Sequence, residues 1–223
     1  MIDQDFLLFI HLLLFCYWLG GDIGVFYSSG FAANPNLSNE ARMTAAKIML
    51  GLDIIPRACG ALMLSVGLFL SQFIGVVYLN WQLYLFFLVA PLWLVMELIL
   101  HYQYESSLGQ YLKKFDAPFK GFIILGCLAL VTWMSLSGRL HAAPWVGYKI
   151  IIFAIIIFCS LLINRAVLPY LEGIQRIAEG NINQQENLDM AESLRKTKWA
   201  VIAIWICLLI EVALGIAKPS IAI

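Results

Sequence analysis

Six stretches of this chain stay apolar for about twenty residues, the length at which a helix crosses the hydrocarbon core of a bilayer. They fall at about 6–28, 50–78, 82–100, 119–137, 146–167 and 198–217. Hydrocarbon offers no water to backbone N–H and C=O groups, so each stretch must satisfy them internally as a helix. The sequence therefore predicts an all-α fold: a polytopic membrane helix bundle of about six transmembrane helices, forming a single transmembrane domain over residues 1–223. Composition agrees, since the chain is 62% hydrophobic and only 13% charged, against roughly 45–50% and about 25% in soluble domains. A soluble fold would leave a very large apolar surface in water. With 14 basic and 14 acidic residues there is no basic footprint for nucleic acid.

The first apolar run follows Asp3 and Asp5, where a secretion signal needs positive charge, and it continues past Gly20 and Gly21 to about Ser28. It reads as a retained helix. The five cysteines, Cys16, Cys59, Cys127, Cys159 and Cys207, lie in apolar runs and form no CxxC, which argues against a disulfide framework or a zinc site. The longest polar excursion, around Glu179–Glu192, suits an amphipathic helix pair.

Lys and Arg set the orientation. The segments after the first, third and fifth spans carry Arg42, Lys47, Lys113, Lys114, Lys120, Arg165, Arg176, Arg195, Lys196 and Lys198, whereas the other side has only Arg139, Lys218 and, just inside its helix, Lys149. The positive-inside rule then predicts a bacterial-type inner (plasma) membrane protein with the longer loops in the cytoplasm and both termini on the outer, periplasmic side.

Ionisable groups inside spans are costly and mark candidate functional sites. They separate into two layers. The outer layer has His11, Lys149 and Glu211, with His141 in a short loop able to fold onto it. The alternative is that Lys149 and Glu211 snorkel separately to the interface. The inner layer has Asp22, Asp53, Arg57, Glu97 and His101. Asp53 and Arg57 are spaced to pair on one helix face, and Glu97 and His101 repeat that spacing. This layer is either a structural neutralising group that ties helices together or a proton route or propionate anchor. On the first helix, His11, Phe15, Trp18 and Asp22 form one stripe, while Gly20, Gly21 and Gly24 allow close backbone approach. A histidine, aromatics and glycines on one helix can make room for a flat macrocycle with an axial ligand, or simply for a tight helix contact. On the fifth helix, Lys149, Phe153, Ile156, Ser160 and Asn164 form a second stripe. At ~1.5 Å rise per residue, His11 and His101 lie ~20 Å apart along the membrane normal, so the two cannot share one iron.

The helix from Ile10 to Gly21, with its H-x6-W-x-G-G pattern, resembles the opening helix of copper-resistance protein D and related membrane proteins. The stretch Gly147–Pro169, G-x-x-x-K…N-R…P in outline, looks similar to a later helix of that family. The pattern also resembles the haem-binding bacterial membrane protoporphyrinogen oxidases. That resemblance implies His11 as the axial haem or metal ligand and Lys149 as a helix-embedded catalytic lysine beside the site. Trp18, His141, Asp22, Arg57, Glu97 and His101 complete the candidate cofactor-binding set.

The expected function is a membrane redox or porphyrin-handling protein that binds b-type haem, with a quinone or porphyrin as mobile partner. Copper is the alternative cofactor, in a copper or small-solute permease, although the chain has no Met-x-x-Met or His-rich tract. The remaining alternative is a non-catalytic subunit or assembly factor of a larger membrane complex; a homo-oligomer is a further expected partner state.

The orientation makes a direct prediction. A cysteine introduced at Asn183 should be shielded from an impermeant thiol reagent in intact cells and labelled after permeabilisation. Ready labelling in intact cells would reverse the orientation.

Overall fold

Polar caps, rather than the onset of hydrophobicity, decide where four of the seven described helices begin. The computed structural model describes residues 3–220, which form seven helices and no strand. These are α1 (Gln4–Ala32), α2 (Asn39–Gln72), α3 (Asn80–Tyr102), α4 (Ser107–Leu136), α5 (Pro144–Ala166), α6 (Leu168–Ala178) and α7 (Gln184–Ala217). All except α6 are long and apolar enough to cross a membrane. The helix bundle expected from the sequence is therefore the observed architecture.

Helices α2, α4 and α7 each start roughly three to four turns before the apolar run they contain. The reason is local. Ser38 accepts from Ala41 N at 3.3 Å and Ser106 from Gly109 N at 2.9 Å. Asn183 and Glu186 form a reciprocal capping box, each accepting at 2.8 Å from the other's backbone N–H. The polar segment around Glu179–Glu192 is itself a turn and the first turns of α7, and the short helix paired with it, α6, precedes the segment. At the other extreme, α2 ends at Gln72 and residues 73–79 form a turn, with Gly75 at φ 91°. Tyr78 in that turn folds back so that its hydroxyl lies 2.8 Å from Ser71 Oγ.

An even number of crossings puts both chain termini at one end of the bundle. That end is called the terminus end here, and the opposite one the α6 end. The tightest pairing is between α1 and α2. A Cβ at Gly21 would lie 3.1 Å from Pro56 Cδ, and one at Gly24 would lie 2.9 Å from Leu52 Cδ1, so both glycines are needed for the approach. α7 packs on α5, α3 on α2 and α4 on α5, whereas α3 and α4 meet only lightly. The main core is built on Trp18, Trp93, Met134, Phe153 and their neighbours between these helices.

A second, smaller core sits at the α6 end, where Tyr170, Ile174 and Ile177 of α6 close over Ala32, Ala46 and Met190. Arg42, only 2% exposed, stitches it together. Its Nε donates to Ala32 O at 2.8 Å, satisfying a carbonyl at the C-terminus of α1, and its Nη2 donates to Asn187 Oδ1 at 2.8 Å. The Tyr170 hydroxyl donates to Ser29 O at 3.0 Å. Burial pushes that phenol above its ordinary pKa, which keeps it a donor.

Replacing Arg42 by Ala removes two charge-assisted bonds, each worth about 1.5–3 kcal/mol. We expect cleavage in the Glu179–Asn183 turn to speed up about tenfold or more in limited proteolysis, as α6 and the start of α7 open locally. Unchanged cleavage would show that Arg42 does not hold the α6 cap.

Candidate functional site

A cavity of about 400 Å³ opens in the terminus-end half of the bundle, between α1, α2, α5 and α7. Its walls are apolar, with Phe15, Trp18, Leu68 and Phe153 among them, and its few polar groups include His11, Lys149 and Glu211. Lys149 Nζ lies 3.6 Å from Glu211 Oε2 and 5.7 Å from the centroid of the Trp145 ring. Trp18, 6% exposed, meets Phe153 edge-on at 6.2 Å.

Two glycines of α2 create the space for the rings of α1. A Cβ at Gly67 would lie 3.2 Å from His11 Cε1, and one at Gly60 would lie 3.3 Å from Trp18 Cζ2. His11 Nδ1 is buried there without a hydrogen-bond partner, which is costly for a neutral imidazole in apolar surroundings.

The cavity is bounded by different media on different sides. Leu8, Leu12 and Ile216 line it while remaining 42%, 49% and 79% exposed, so it opens sideways toward lipid between α1 and α7. Those two helices are held together nearer the α6 end, where Trp205 Nε1 donates to Asp22 Oδ2 at 2.6 Å and its ring packs edge-on to Phe26 at 5.7 Å. At the terminus end a second hollow of about 250 Å³, lined by His141 and Pro144 among others, shares Ile74, Trp145 and Lys218 with the cavity.

The other ionisable layer is a connected network. Arg57 Nε pairs with Asp53 Oδ2 at 2.6 Å, and its Nη1 lies 3.6 Å from Glu97 Oε2. Lys120 Nζ lies 3.2 Å from Glu97 Oε1 and 2.8 Å from Asp116 Oδ1. Trp93 Nε1 donates to Glu97 Oε1 at 3.0 Å, and Asn164 Nδ2 donates to Asp116 Oδ2 at 3.2 Å. Glu97 is 2% exposed and so joins α2, α3 and α4 from within.

The structure thus brings His11, Trp18 and Lys149 together with Glu211 around one cavity, and puts Arg57 and Glu97 in a separate network. Asp22 lies at the depth of that network, since Gly21 and Gly24 beside it meet Pro56 and Leu52, but its bond is to Trp205. His141 is exposed and belongs to the second hollow. His101 lies at the last turn of α3 with its ring against Tyr102 at 4.6 Å, while Glu97 is bonded to Trp93 of the same helix and paired with cations of other helices.

Sequence reasoning missed Asp116, Trp205 and Gly67, and it counted Lys120 only as a loop charge. The i,i+4 spacing of Asp116 and Lys120 was an available signal. Nothing in the apolar run distinguishes Trp205 or Gly67. Among the described residues no three His, Cys, Asp or Glu side chains converge as a metal-ligand set.

Removing Glu97 should be expensive. Glu97→Ala leaves Lys120 with one fewer counter-charge and Trp93 Nε1 unpaired, a loss of about 3–5 kcal/mol for a broken buried pair. Glu97→Gln keeps an acceptor for Trp93 and should lose less. Thermal or denaturant unfolding in detergent measures both, and an unchanged Glu97→Ala melt would contradict the junction role.

No family model, no curated protein and no solved structure matches this chain.

Proposed function

We propose that this integral membrane protein is a redox or porphyrin-handling protein that holds a b-type haem in the terminus-end cavity, with His11 as its axial ligand. The observation that carries this reading is the imidazole of His11, which lines an apolar cavity while its Nδ1 is buried without a partner. The absence of a side chain at Gly67 leaves room for the ring on the seam between α1 and α2.

The donor set also fits the group. One imidazole would serve an iron whose remaining donors come mainly from the macrocycle, whereas copper without a macrocycle would need several protein ligands. The resemblance of the first and fifth helices points the same way.

Bound there, the haem would supply one-electron redox chemistry. The chain's own residues do the rest. His11 binds and orients, and Phe15, Trp18 and Phe153 exclude water from the cavity floor. Lys149, a compact ammonium beside Glu211, offers charge and protons at the cavity's polar edge. Trp18 and Lys149 thus retain their proposed roles as binding and catalytic residues. His141 serves as a residue of the approach rather than of the cavity.

Asp22, Arg57, Glu97 and His101 belong, in this reading, to the structural framework beyond the cavity floor. The charge bias of the loops supports a reading in which the cavity lies in the outer leaflet of a bacterial-type inner membrane, with both termini outside.

An absorption spectrum of the purified protein tests the reading. A Soret band that shifts on adding dithionite is expected; His11→Ala should abolish it and His101→Ala should leave it. A band lost only in the His101 variant would move the site to the α6 end. Metal without a chromophore would favour the copper permease, and neither metal nor chromophore, with a co-purifying protein, the subunit role.

A further inference from the structure

One carboxylate within the membrane-spanning part of the bundle has no cation to answer it. Asp53, Glu97, Asp116 and Glu211 each face a lysine or arginine at 2.6–3.6 Å. Asp22 has no such partner among the described residues, and its one bond comes from Trp205 Nε1 to Oδ2 at 2.6 Å. A charge in hydrocarbon without a counter-charge is the expensive state, and the neutral acid avoids most of that cost.

The surroundings of Asp22 supply no counter-charge. It lies ~9 Å inside the α6-end margin of its apolar run at the rise of an α-helix. Its side chain is too short to reach the interface, as a lysine would. α1 packs mainly on α2 and more lightly on α7. From α2, the ionisable group acting on Asp22 is Asp53, a second carboxylate that is already paired with Arg57. From α7 comes Trp205, its ring edge-on to Phe26 of α1. The nearest charged residues of α7, Lys198 and Glu211, lie about two turns along the helix on either side of Trp205. α6 meets α1 through the Tyr170 hydroxyl at Ser29, about two turns beyond Asp22.

The chemistry of the pair selects the ligand. A metal cation needs several oxygen ligands, and no set of three metal-binding side chains converges here among the described residues. The group facing the carboxylate is moreover an N–H donor, which a bound cation would oppose. A proton suits the same arrangement. One oxygen of a carboxylic acid carries the hydrogen while the other still accepts from an indole.

We propose that Asp22 is a proton-binding site, a neutral carboxylic acid at the α1–α7 seam that exchanges its proton with water. Trp205 is its positioning residue: the indole N–H fixes Oδ2 as the acceptor and leaves Oδ1 to carry the proton. In the exchange the acid O–H breaks and re-forms against water, and no other bond changes. Trp18 of the cavity wall stands one helical turn away on α1, so the proton is stored between the α6-end margin and the cavity floor. The site is independent of what the cavity holds.

Infrared spectroscopy of the full chain in lipid nanodiscs reads the protonation state. At neutral pH, wild type minus Asp22→Asn should show one C=O stretch of a protonated carboxyl, and that band should shift down in D2O. Asparagine keeps an acceptor for Trp205, so the variant carries little folding risk. Trp205→Phe removes the bond to the carbonyl oxygen and should raise the frequency of the band without abolishing it. Glu211→Gln should leave the band in place, since Glu211 is paired. An apolar carbodiimide gives a second readout, because it adds to a protonated carboxyl and takes the acid proton onto its own nitrogen. Its adduct should map to Asp22 and be lost in Asp22→Asn.

A carboxylate stretch in place of the acid band, or an acid band that D2O does not shift, would overturn the inference. A band that sodium displaces would overturn it as well, making Asp22 a cation site. So would adducts on Asp53 or Glu211 with none on Asp22.

Discussion

Charge placed in hydrocarbon has to find its opposite, and in this bundle Glu97 is where that requirement is met. Its carboxylate is 2% exposed and receives Trp93 from its own helix, Arg57 from α2 and Lys120 from α4. Because α3 and α4 otherwise meet only lightly, α4 resting mainly on α5, this one group supplies much of the link between α3 and α4. Lys120 passes the connection to Asp116, and Asp116 passes it to Asn164 of α5. Four of the six long helices are thereby tied by polar contacts at one depth. Such a network costs desolvation to build, so its value lies in specifying one arrangement of helices whose apolar surfaces alone would slide past one another.

The two ionisable layers differ in how many charges answer one another and in whether they enclose space. At the α6 end, cations and carboxylates alternate from Asp53 through Arg57, Glu97 and Lys120 to Asp116. At the terminus end, a single long ion pair, an imidazole nitrogen without a partner and a second lysine surround empty volume. Unsatisfied polar groups are expensive to keep in an apolar interior. In the network Glu97 Oε2 and Asp116 Oδ1 also lack a hydrogen bond but face Arg57 and Lys120, whereas His11 Nδ1 lies against Gly67.

The fold was legible because hydrophobic length is a global property that local accidents do not erase. The helix starts were not legible from hydrophobicity, because Ser38, Ser106 and Asn183 set them by capping in polar sequence. The site was half legible. His11, Lys149 and Glu211 stand out because each is a polar group in an otherwise apolar run. The partners of Glu97 did not, because Lys120 sits at the margin of its span and reads equally well as a loop charge. The cavity itself left almost no trace in the sequence. It is made by what is missing at Gly67 and Gly60, and a glycine in a membrane helix announces nothing about which ring it faces.

The register of α1 against α2 ties that missing volume to the ring positions. His11 faces Gly67 and Trp18 faces Gly60, so the two rings and the two glycines are each seven residues apart, in opposite chain directions. Seven residues are close to two helical turns, which keeps both contacts on one seam of an antiparallel pair. Further along the same seam the sizes reverse: Gly21 and Gly24 of α1 receive Pro56 and Leu52 of α2. Large-into-small contacts running both ways fix the register, because a slip of one turn would drive a ring or a branched side chain into another rather than into a glycine. The same seam therefore locks the hairpin and aims the imidazole. A substitution at Gly67 would act on His11 through packing alone, leaving the charges of the cavity untouched.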